Sequence, residues 1–576
     1  MPPVPEQPDS DILERIPLGA RVVLEIGCGT GALAAAYRRF NPGARLLGID
    51  KDAEAAAIAA RRLDQVAVVD VEQHPLPFPD RPIDCIIYSD VLEHLRDPWA
   101  VIRHHVEALS PDGVLLICVP NVEHWSFAER LLRGNWDYEP SGLLDAAHLR
   151  WFSLESMRKG LMAFGLFPCD VHPRVFDVAS AEAFAAVMAP SLATLGIDPQ
   201  SYLQRAAPLQ YVWRVRKQPQ ERLTVASTML VPIGGVSHVR VVYPLQAMQT
   251  DPLVTTHLIE SPGFTLPPAD GPRVFVLHRL GLSGEHGTAI MRALLKDGWL
   301  VVSEFDDHPD HFGMLQSPDQ MAFSGVHAVQ TSTPALADIL RTRNPEVAVF
   351  PNTIRTLPDM HNFADDGRMT LFFGALNREQ DWAPYMPVLN DVAEAMGERL
   401  RFSVVHDRAF FDALRSPHKQ FTPTCDYPSY LALLGQCEIS FMPLADTWFN
   451  RAKSDLKFIE AGACRVASLA SHVVYAASIE DGRTGLLFRD AEELREQLMR
   501  LVAMPELART LGNAARNYVV SERMLAYQVA QRIAWYRSLW MRRAELTNAL
   551  YARMPQLAPS EGAMPVWSAI QPGGRI

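Results

Sequence analysis

Cysteine is scarce in this chain: there are seven in 576 residues, and no two form a C-x-x-C pair. Without such a pair there is no zinc or redox cysteine motif, and Cys85 and Cys118 fall in apolar runs, which reads as buried free thiols in a reducing cytosol. Long apolar runs are missing too, which excludes an obvious membrane span. The opening MPPVPEQPDSD lacks the basic and apolar regions of a secretory signal. A cytoplasmic protein is expected, with contact at the inner face of the membrane left open. Basic residues are the minority, 54 Lys and Arg against 66 Asp and Glu, for a net charge of −12. This argues against nucleic-acid binding through a basic surface, and leaves room for a local basic pocket. What is present is a globular composition, 48% hydrophobic and 21% charged, over a length that calls for three to four core-sized units.

The chain is organised around VVLEIGCGTG at residues 22–31. Val22, Val23, Leu24 and Ile26 make a short β-branched run, as in a central parallel strand. Gly27, Gly29 and Gly31 follow, then a helical composition over residues 32–40. Glycines there let the backbone turn sharply and let a ligand approach main-chain N–H groups. The pattern is E-x-G-x-G-x-G, whereas a dinucleotide site uses G-x-G-x-x-G. Glu25 stands two residues before the first glycine, where it suits an ammonium or hydroxyl better than a phosphate. The stretch resembles motif I of the class I S-adenosylmethionine (SAM) methyltransferases.

A leading helix is expected at residues 11–18, a second strand over 45–50, a helix over 51–63 and a third strand over 66–69. Asp50, about 20 residues beyond the glycines, can accept both ribose hydroxyls. Strands over 84–88 and 114–119 come next, the latter after a Ser110-Pro111-Asp112-Gly113 turn. SDVLEHLRDP, SPDGVLLICVPN and HLRWFS, in that order, look closely like the type 11 and type 23 methyltransferases, over residues 15–215. That resemblance implies a Rossmann-like fold ending in an antiparallel pair, with residues 208–217 as the last strand. It implies SAM as cofactor, with Asp70 at the adenine and with Lys51, Val71, Ser89 and Glu93 among the cofactor contacts. A base is needed only if the methyl acceptor is a hydroxyl. His94 and His148 are the candidates; Glu93 and His94 can equally serve to fix the cofactor loop. Residues 121–147 read as an irregular acceptor lid, whose Trp125, Trp136 and Tyr138 suit either substrate contact or loop packing.

After a polar linker at 218–222 a new α/β pattern begins. Strands are expected at 224–231, 273–278, 300–305, 328–330 and 347–350, with helices at 236–248, 289–296 and 334–342. A polar break at 365–368 precedes strands at 370–374, 401–406, 439–443 and 466–469. TSTPAL from Thr331, VFPN from Val349, FGALN from Phe373, and NRAKSDLKFIEAGACRVASLAS from Asn450 followed by DGRTGLLF resemble the GT-B glycosyltransferases of the family-4 type, over residues 223–540. The resemblance implies a second pair of Rossmann-like domains, 223–365 for the acceptor and 366–545 for a nucleotide-sugar donor; residues 546–576, with glycine and proline from Pro555 on, read as a disordered tail. A diphosphate leaving group needs positive charge. Lys453, at the start of a donor helix, and Lys457, one turn on, are the candidates, with Arg378 and Gly235 beside them. Glu460 falls where the family carboxylate binds the donor. These three helix residues also have the spacing of ordinary surface pairs. The first glutamate of the E-x7-E pattern is replaced by Ala452, and Asn450, Lys453 and Asp455 are the available substitutes.

The loop DDHPDH at 306–311 carries metal-ligand types, but adjacent ligands on a proline-broken loop rarely converge, so no metal is expected. Asp307, His308 and Arg240 are acceptor candidates instead. The long helix expected over 526–551 mixes Trp535, Tyr536 and Trp540 with arginines. It either crosses back to the first GT-B half or lies on a membrane surface. The reading is a bifunctional methyltransferase and glycosyltransferase acting on a glycan or glycolipid acceptor, in the setting of bacterial surface polysaccharide. The alternatives are a methyltransferase with a glycan-binding GT-B half, and an enzyme pair decorating a lipid or small natural product.

Overall fold

A computed structural model describes residues 8–78, 82–229, 234–260, 266–360 and 366–559. The chain divides into two compact units: the first runs to Glu221 and takes in Thr250–Leu253, and the second comprises Arg222–Gln249 and the chain from Val254 onward.

The first unit is built on β1 (Val22–Ile26), β2 (Arg45–Asp50), β3 (Gln65–Val68), β4 (Ile83–Ser89), β5 (Leu109–Pro120), β6 (Phe167–Arg174) and β7 (Gln210–Arg216). Among the described residues the sheet order is β3-β2-β1-β4-β5-β7-β6. All pairs are parallel except β5–β7 and β6–β7. The expected closing antiparallel pair is therefore present. β1 is buried at every position, because helices cover both faces of a parallel sheet. Its residues point into two cores, Leu24 and Ile26 into one and Val23 into the other. The chain order reverses between β1 and β4, which opens a crevice at the carboxyl ends of these strands.

Local expectations shift in three places. The leading helix is only Ser10–Leu13, capped by the Asp9 carboxylate. The expected turn at residues 110–113 lies inside β5 as a bulge, where the pairing steps from Ile83–Leu109 to Cys85–Val114. The acceptor lid is not irregular throughout: Trp125–Leu132 is a helix, capped by His124.

The second unit holds two parallel sheets. One is formed by β8 (Leu223–Thr228), β9 (Val254–Ile259), β10 (Arg273–His278), β11 (Leu300–Glu304), β12 (Ala328–Thr331) and β13 (Val347–Val349), in the order β13-β12-β11-β10-β8-β9. The other contains β14 (Met369–Gly374), β15 (Leu400–Val405), β16 (Lys419–Thr422), β17 (Ile439–Met442), β18 (Ala467–Ser471) and β19 (Leu486–Phe488), in the order β16-β15-β14-β17-β18-β19. This is the GT-B pairing of two Rossmann-like domains. The edge strands β9, β16 and β19 add to the expected ones: β9 and β16 are only partly buried, and β19 is three residues long. The helix expected at 236–248 is continuous from Gly234 to Gln249 but passes through a π-helical stretch at His238–Val242.

The C-terminal helix is two helices, Val529–Met541 and Arg543–Arg553. Tyr536 and Trp540 are buried. Tyr536 donates to Gln330 Oε1 at 2.8 Å, and the Arg532 guanidinium lies 4.1 Å from the Phe350 ring centroid. The aromatic residues that a membrane-surface helix would show outward are turned onto the first sheet. The expected tail is corrected as well: helix Arg543–Arg553 carries Leu550 into the core, and the turn Pro555–Leu557 buries Leu557. Residues 560–576 lie outside the described residues.

Candidate functional sites

In the first unit the glycine turn runs straight off β1. Gly27, Gly29 and Gly31 have φ of 71°, 51° and 72°. Gly27 is required: a Cβ there would lie 2.6 Å from Val91 Cγ2. The Asp50 carboxylate at the end of β2 braces this loop, accepting from Gly29 N–H at 2.8 Å and Asp52 N–H at 2.9 Å. Lys51, next to it, is exposed. Glu25 is 6% exposed, and its Oε2 has no hydrogen-bond partner. Burial, reinforced by the neighbouring Asp50 charge, pushes its carboxyl up to about 8.

After β3 the Asp70 carboxylate is engaged by its own turn, accepting from Glu72 N–H at 3.0 Å and Gln73 Nε2 at 2.7 Å. Val71 packs on the core. Ser89 ends β4, and a 3₁₀ turn, Leu92–His94, follows. Glu93 is buried with neither carboxylate oxygen partnered. His94 and His148 come together, their ring centroids 4.9 Å apart. Burial lowers the His94 pKa, so its imidazole is neutral near pH 7 and able to accept a proton. Trp136 lies 5.7 Å from Phe127 and 6.5 Å from Trp151 between ring centroids, Trp125 packs on Phe184, and Tyr138 is exposed.

In the second unit a cleft of about 270 Å³ opens where β14 and β17 diverge. Gly235, Asp307, Arg378, Lys453, Lys457 and Glu460 all line it. Glu460 is buried and accepts from Tyr427 Oη at 2.8 Å. Burial raises its pKa, with Lys457 opposing. Lys457 Nζ donates to the Gly374 carbonyl and lies 3.3 Å from Tyr430 Oη. Its pKa is lowered by burial, with Glu460 opposing. Arg378 donates to Asp381 Oδ2 at 3.2 Å and Asn450 Oδ1 at 3.1 Å. Gly235 sits against this group: a Cβ there would meet Tyr427 Cε2 at 2.8 Å and Glu460 Oε1 at 3.1 Å.

Lys453 is not on the donor helix. That helix is Leu456–Ala463, and Lys453 stands in extended conformation before it. From there Nζ reaches Asp307 Oδ1 at 2.6 Å and lies 4.2 Å from the Phe449 ring centroid. It therefore shares no helix face with Lys457. Of the substitutes for the missing glutamate, Asp455 is spent on Arg523, at 2.6 and 2.8 Å. Asn450 is held between Asp381 and Arg378. Of these three, only Lys453 lines the cleft.

Arg240 leaves the acceptor set. It is buried and bonded to Glu304 at 2.9 and 3.1 Å, to the Phe350 carbonyl at 2.6 Å and to Asn352 Oδ1 at 2.9 Å. Its role is to tie the helix after β8 to β11 and to the loop after β13. In the DDHPDH loop the carboxylates are matched with cations: Asp306 with Arg279, Asp307 with Lys453 and Asp310 with Arg343. His308 packs edge-on against Trp448, 4.5 Å between centroids. Tyr427, Tyr430, Tyr475 and Arg279 line the cleft and were not anticipated. Only the tyrosines three apart at 427 and 430, on one face of a short helix, left a trace in the sequence.

Residues 8–167 match the model of a methyltransferase domain, and residues 388–534 match that of a glycosyl transferase-like family. A probable S-adenosylmethionine-dependent methyltransferase of Mycobacterium tuberculosis is 33% identical over 105 residues, 18% of this chain and 36% of that protein. A trans-aconitate 2-methyltransferase of an Azoarcus species is 33% identical over 111 residues, 19% of this chain and 44% of that protein. The chain thus spans less than half the length of either relative. The sucrose-phosphate synthase structure from Thermosynechococcus elongatus aligns with 56% of this chain and 100% of its own, at 15% identity and a TM-score of 0.40. The chain carries a methyltransferase domain in its first unit and a glycosyl transferase-like domain in its second.

Proposed function

We propose that the protein is a cytoplasmic bifunctional transferase that methylates and glycosylates a glycan or glycolipid acceptor, as in bacterial surface polysaccharide synthesis, with SAM and a nucleotide-sugar as its two donors. One observation supports this reading above the others: a single cleft gathers Lys453, Arg378 and Lys457 around Glu460. Three cations in a partly closed site suit a departing nucleoside diphosphate, whose charge grows as the glycosidic bond breaks. Tyr427 fixes the Glu460 carboxylate. The absence of a Cβ at Gly235 lets its backbone pack against Tyr427 and Glu460 at the edge of the cleft.

In the first unit the residues fit SAM. Glu25 offers a buried, unpartnered oxygen to a cationic group, and Asp50 stands ready for ribose hydroxyls at the strand end. When bound, SAM supplies a methyl group on a good leaving group, so the protein's part is chiefly to align the acceptor. His94 takes the proton if the acceptor is a hydroxyl.

The test is calorimetric titration of the full chain with UDP-, GDP- and dTDP-sugars, repeated with Glu460→Gln and Lys453→Ala. Saturable binding to one nucleotide series, lost in both variants, is the expected result. A full chain that binds SAM but none of the sugar nucleotides would overturn the glycosyltransferase half. The replacement of the first family glutamate by Ala452 would then favour a non-catalytic, glycan-binding second unit.

A further inference from the structure

Glu93, His94 and His148 each present one ligand atom, and these atoms lie within 4.8 Å of one another. We propose that these three side chains bind a divalent transition-metal ion in the first unit. The proposal stands on three observations.

The first is the condition of Glu93. It is 1% exposed, and neither of its carboxylate oxygens has a hydrogen-bond partner. A buried carboxylate with nothing to accept from is expensive, and native proteins rarely leave one so. The charges that face it, Asp90 and Asp145, are themselves acidic. What the pocket lacks is a cation. Lys51 adds a small positive potential at His94, and no hydrogen-bond donor meets the Glu93 carboxylate.

The second is the orientation of the imidazoles. His94 Nδ1 lies 3.2 Å from the Ala147 carbonyl, and His148 Nδ1 lies 3.1 Å from the Leu143 carbonyl. A carbonyl only accepts, so each Nδ1 carries the hydrogen and each Nε2 is left with a free lone pair. Metal-binding histidines are held in this way, by an outer partner on the second ring nitrogen.

The third is the frame. The Glu93 carbonyl accepts from Leu149 N–H at 2.7 Å and Arg150 N–H at 3.0 Å. The segment bearing His148 is thereby stitched to the turn bearing Glu93 and His94, 54 residues earlier in the chain. The three ligands are brought together by backbone bonds and not by flexible side chains alone.

Two imidazoles and one carboxylate favour zinc, iron, cobalt or manganese over magnesium or calcium, which prefer all-oxygen sites. Three protein ligands leave at least one position for water or for an acceptor oxygen. A hydroxyl bound there would be more acidic than in bulk water, and with the metal in place the ion takes over from His94, whose Nε2 lone pair it occupies, in activating a hydroxyl acceptor.

The experiment uses the untagged full chain, dialysed, with metal content measured by mass spectrometry and Co²⁺ binding followed by its visible absorption. Near-stoichiometric retention of one transition metal is expected. Co²⁺ affinity should fall by more than about 100-fold in His148→Ala and in Glu93→Gln, and should be unchanged in His104→Ala, an exposed histidine away from the cluster. Far-UV circular dichroism identifies any variant that fails to fold; Glu93→Gln, nearly isosteric, keeps the comparison available if His148→Ala does so. A folded wild-type chain that retains no metal and binds Co²⁺ no more tightly than Glu93→Gln overturns the site. Because the readout is metal and not methyl transfer, the result is independent of the proposed reaction.

Discussion

Glu25 shows how a single residue can make binding depend on pH. Its carboxyl titrates near 8 in the free protein because burial, then Asp50, disfavours the charge. Between its unfolded pKa of 4.5 and about 8 the folded chain holds a proton that the unfolded chain has lost. Its contribution to stability therefore falls as pH rises through that window and is constant above it. A cationic cofactor beside Glu25 reverses the preference and expels the proton. SAM affinity should rise about tenfold per pH unit below 8 and then level off, with about nine-tenths of a proton released per SAM at pH 7. Calorimetry in buffers of different ionisation enthalpy measures that release, and Glu25→Gln should abolish it. No proton release in the wild-type chain would remove Glu25 from the site.

Arg240 makes the opposite case, a charged residue whose importance is structural. Its side chain and that of Glu304 are both almost wholly enclosed. Removing one partner strands the other charge, which typically costs about 3–5 kcal/mol. Arg240→Met should lower the unfolding midpoint by a corresponding amount, and adding Glu304→Gln should restore part of it. Equal midpoints for wild type and Arg240→Met would contradict this account.

At the scale of elements, the turn after β1 is the most constrained. Gly27→Ala combines a left-handed φ with a Cβ driven into Val91. The backbone conformation alone costs an L-residue about 1–2 kcal/mol. Loss of measurable SAM binding is expected in equilibrium dialysis, while donor binding by the second unit stays at the wild-type value. Retained SAM affinity would mean that the turn does not carry the cofactor.

This turn was legible because its strand, glycines and acid are contiguous in the sequence. The buried strands were legible for the same local reason, as runs of β-branched residues. The donor helix starts later than expected although the sequence carries its cue: Asp455 is a natural first cap. It occupies that position, but its carboxylate is committed to Arg523, 68 residues away. Lys453 therefore stands before the helix, in extended conformation, and not at its start. The Arg240–Glu304 pair and the meeting of His148 with Glu93 are likewise products of the tertiary fold, and no spacing rule joins residues so far apart. The π-helical stretch at His238–Val242 has no composition of its own to betray it.

At the scale of the whole molecule, the question is where the second unit ends. The boundary expected at residue 545 would cut helix Arg543–Arg553 near its start. That helix is held by its side chains: His327 Nε2 lies 3.2 Å from Thr547 Oγ1, and Arg553 donates to the Ser324 and Val326 carbonyls at 3.2 and 2.9 Å. The Gln556 carbonyl beyond it accepts from Arg292 at 2.6 Å. Leu550 and Leu557 complete a core that also contains Phe275, Trp299 and Val301. Taking away one fully enclosed leucine side chain typically costs about 2–5 kcal/mol, and truncation at 545 removes both Leu550 and Leu557, with Leu546 and the hydrogen bonds besides. Leu550→Ala in the full chain should lower the thermal midpoint, and a chain ending at 545 should lower it further or leave the second unit unable to fold. Scanning calorimetry of the three proteins decides the matter. An unchanged midpoint in the truncated chain would show that the last helix is an appendage. The expected loss would show that it closes the first sheet of the unit, and that sugar-nucleotide binding is properly measured only on a chain that retains it.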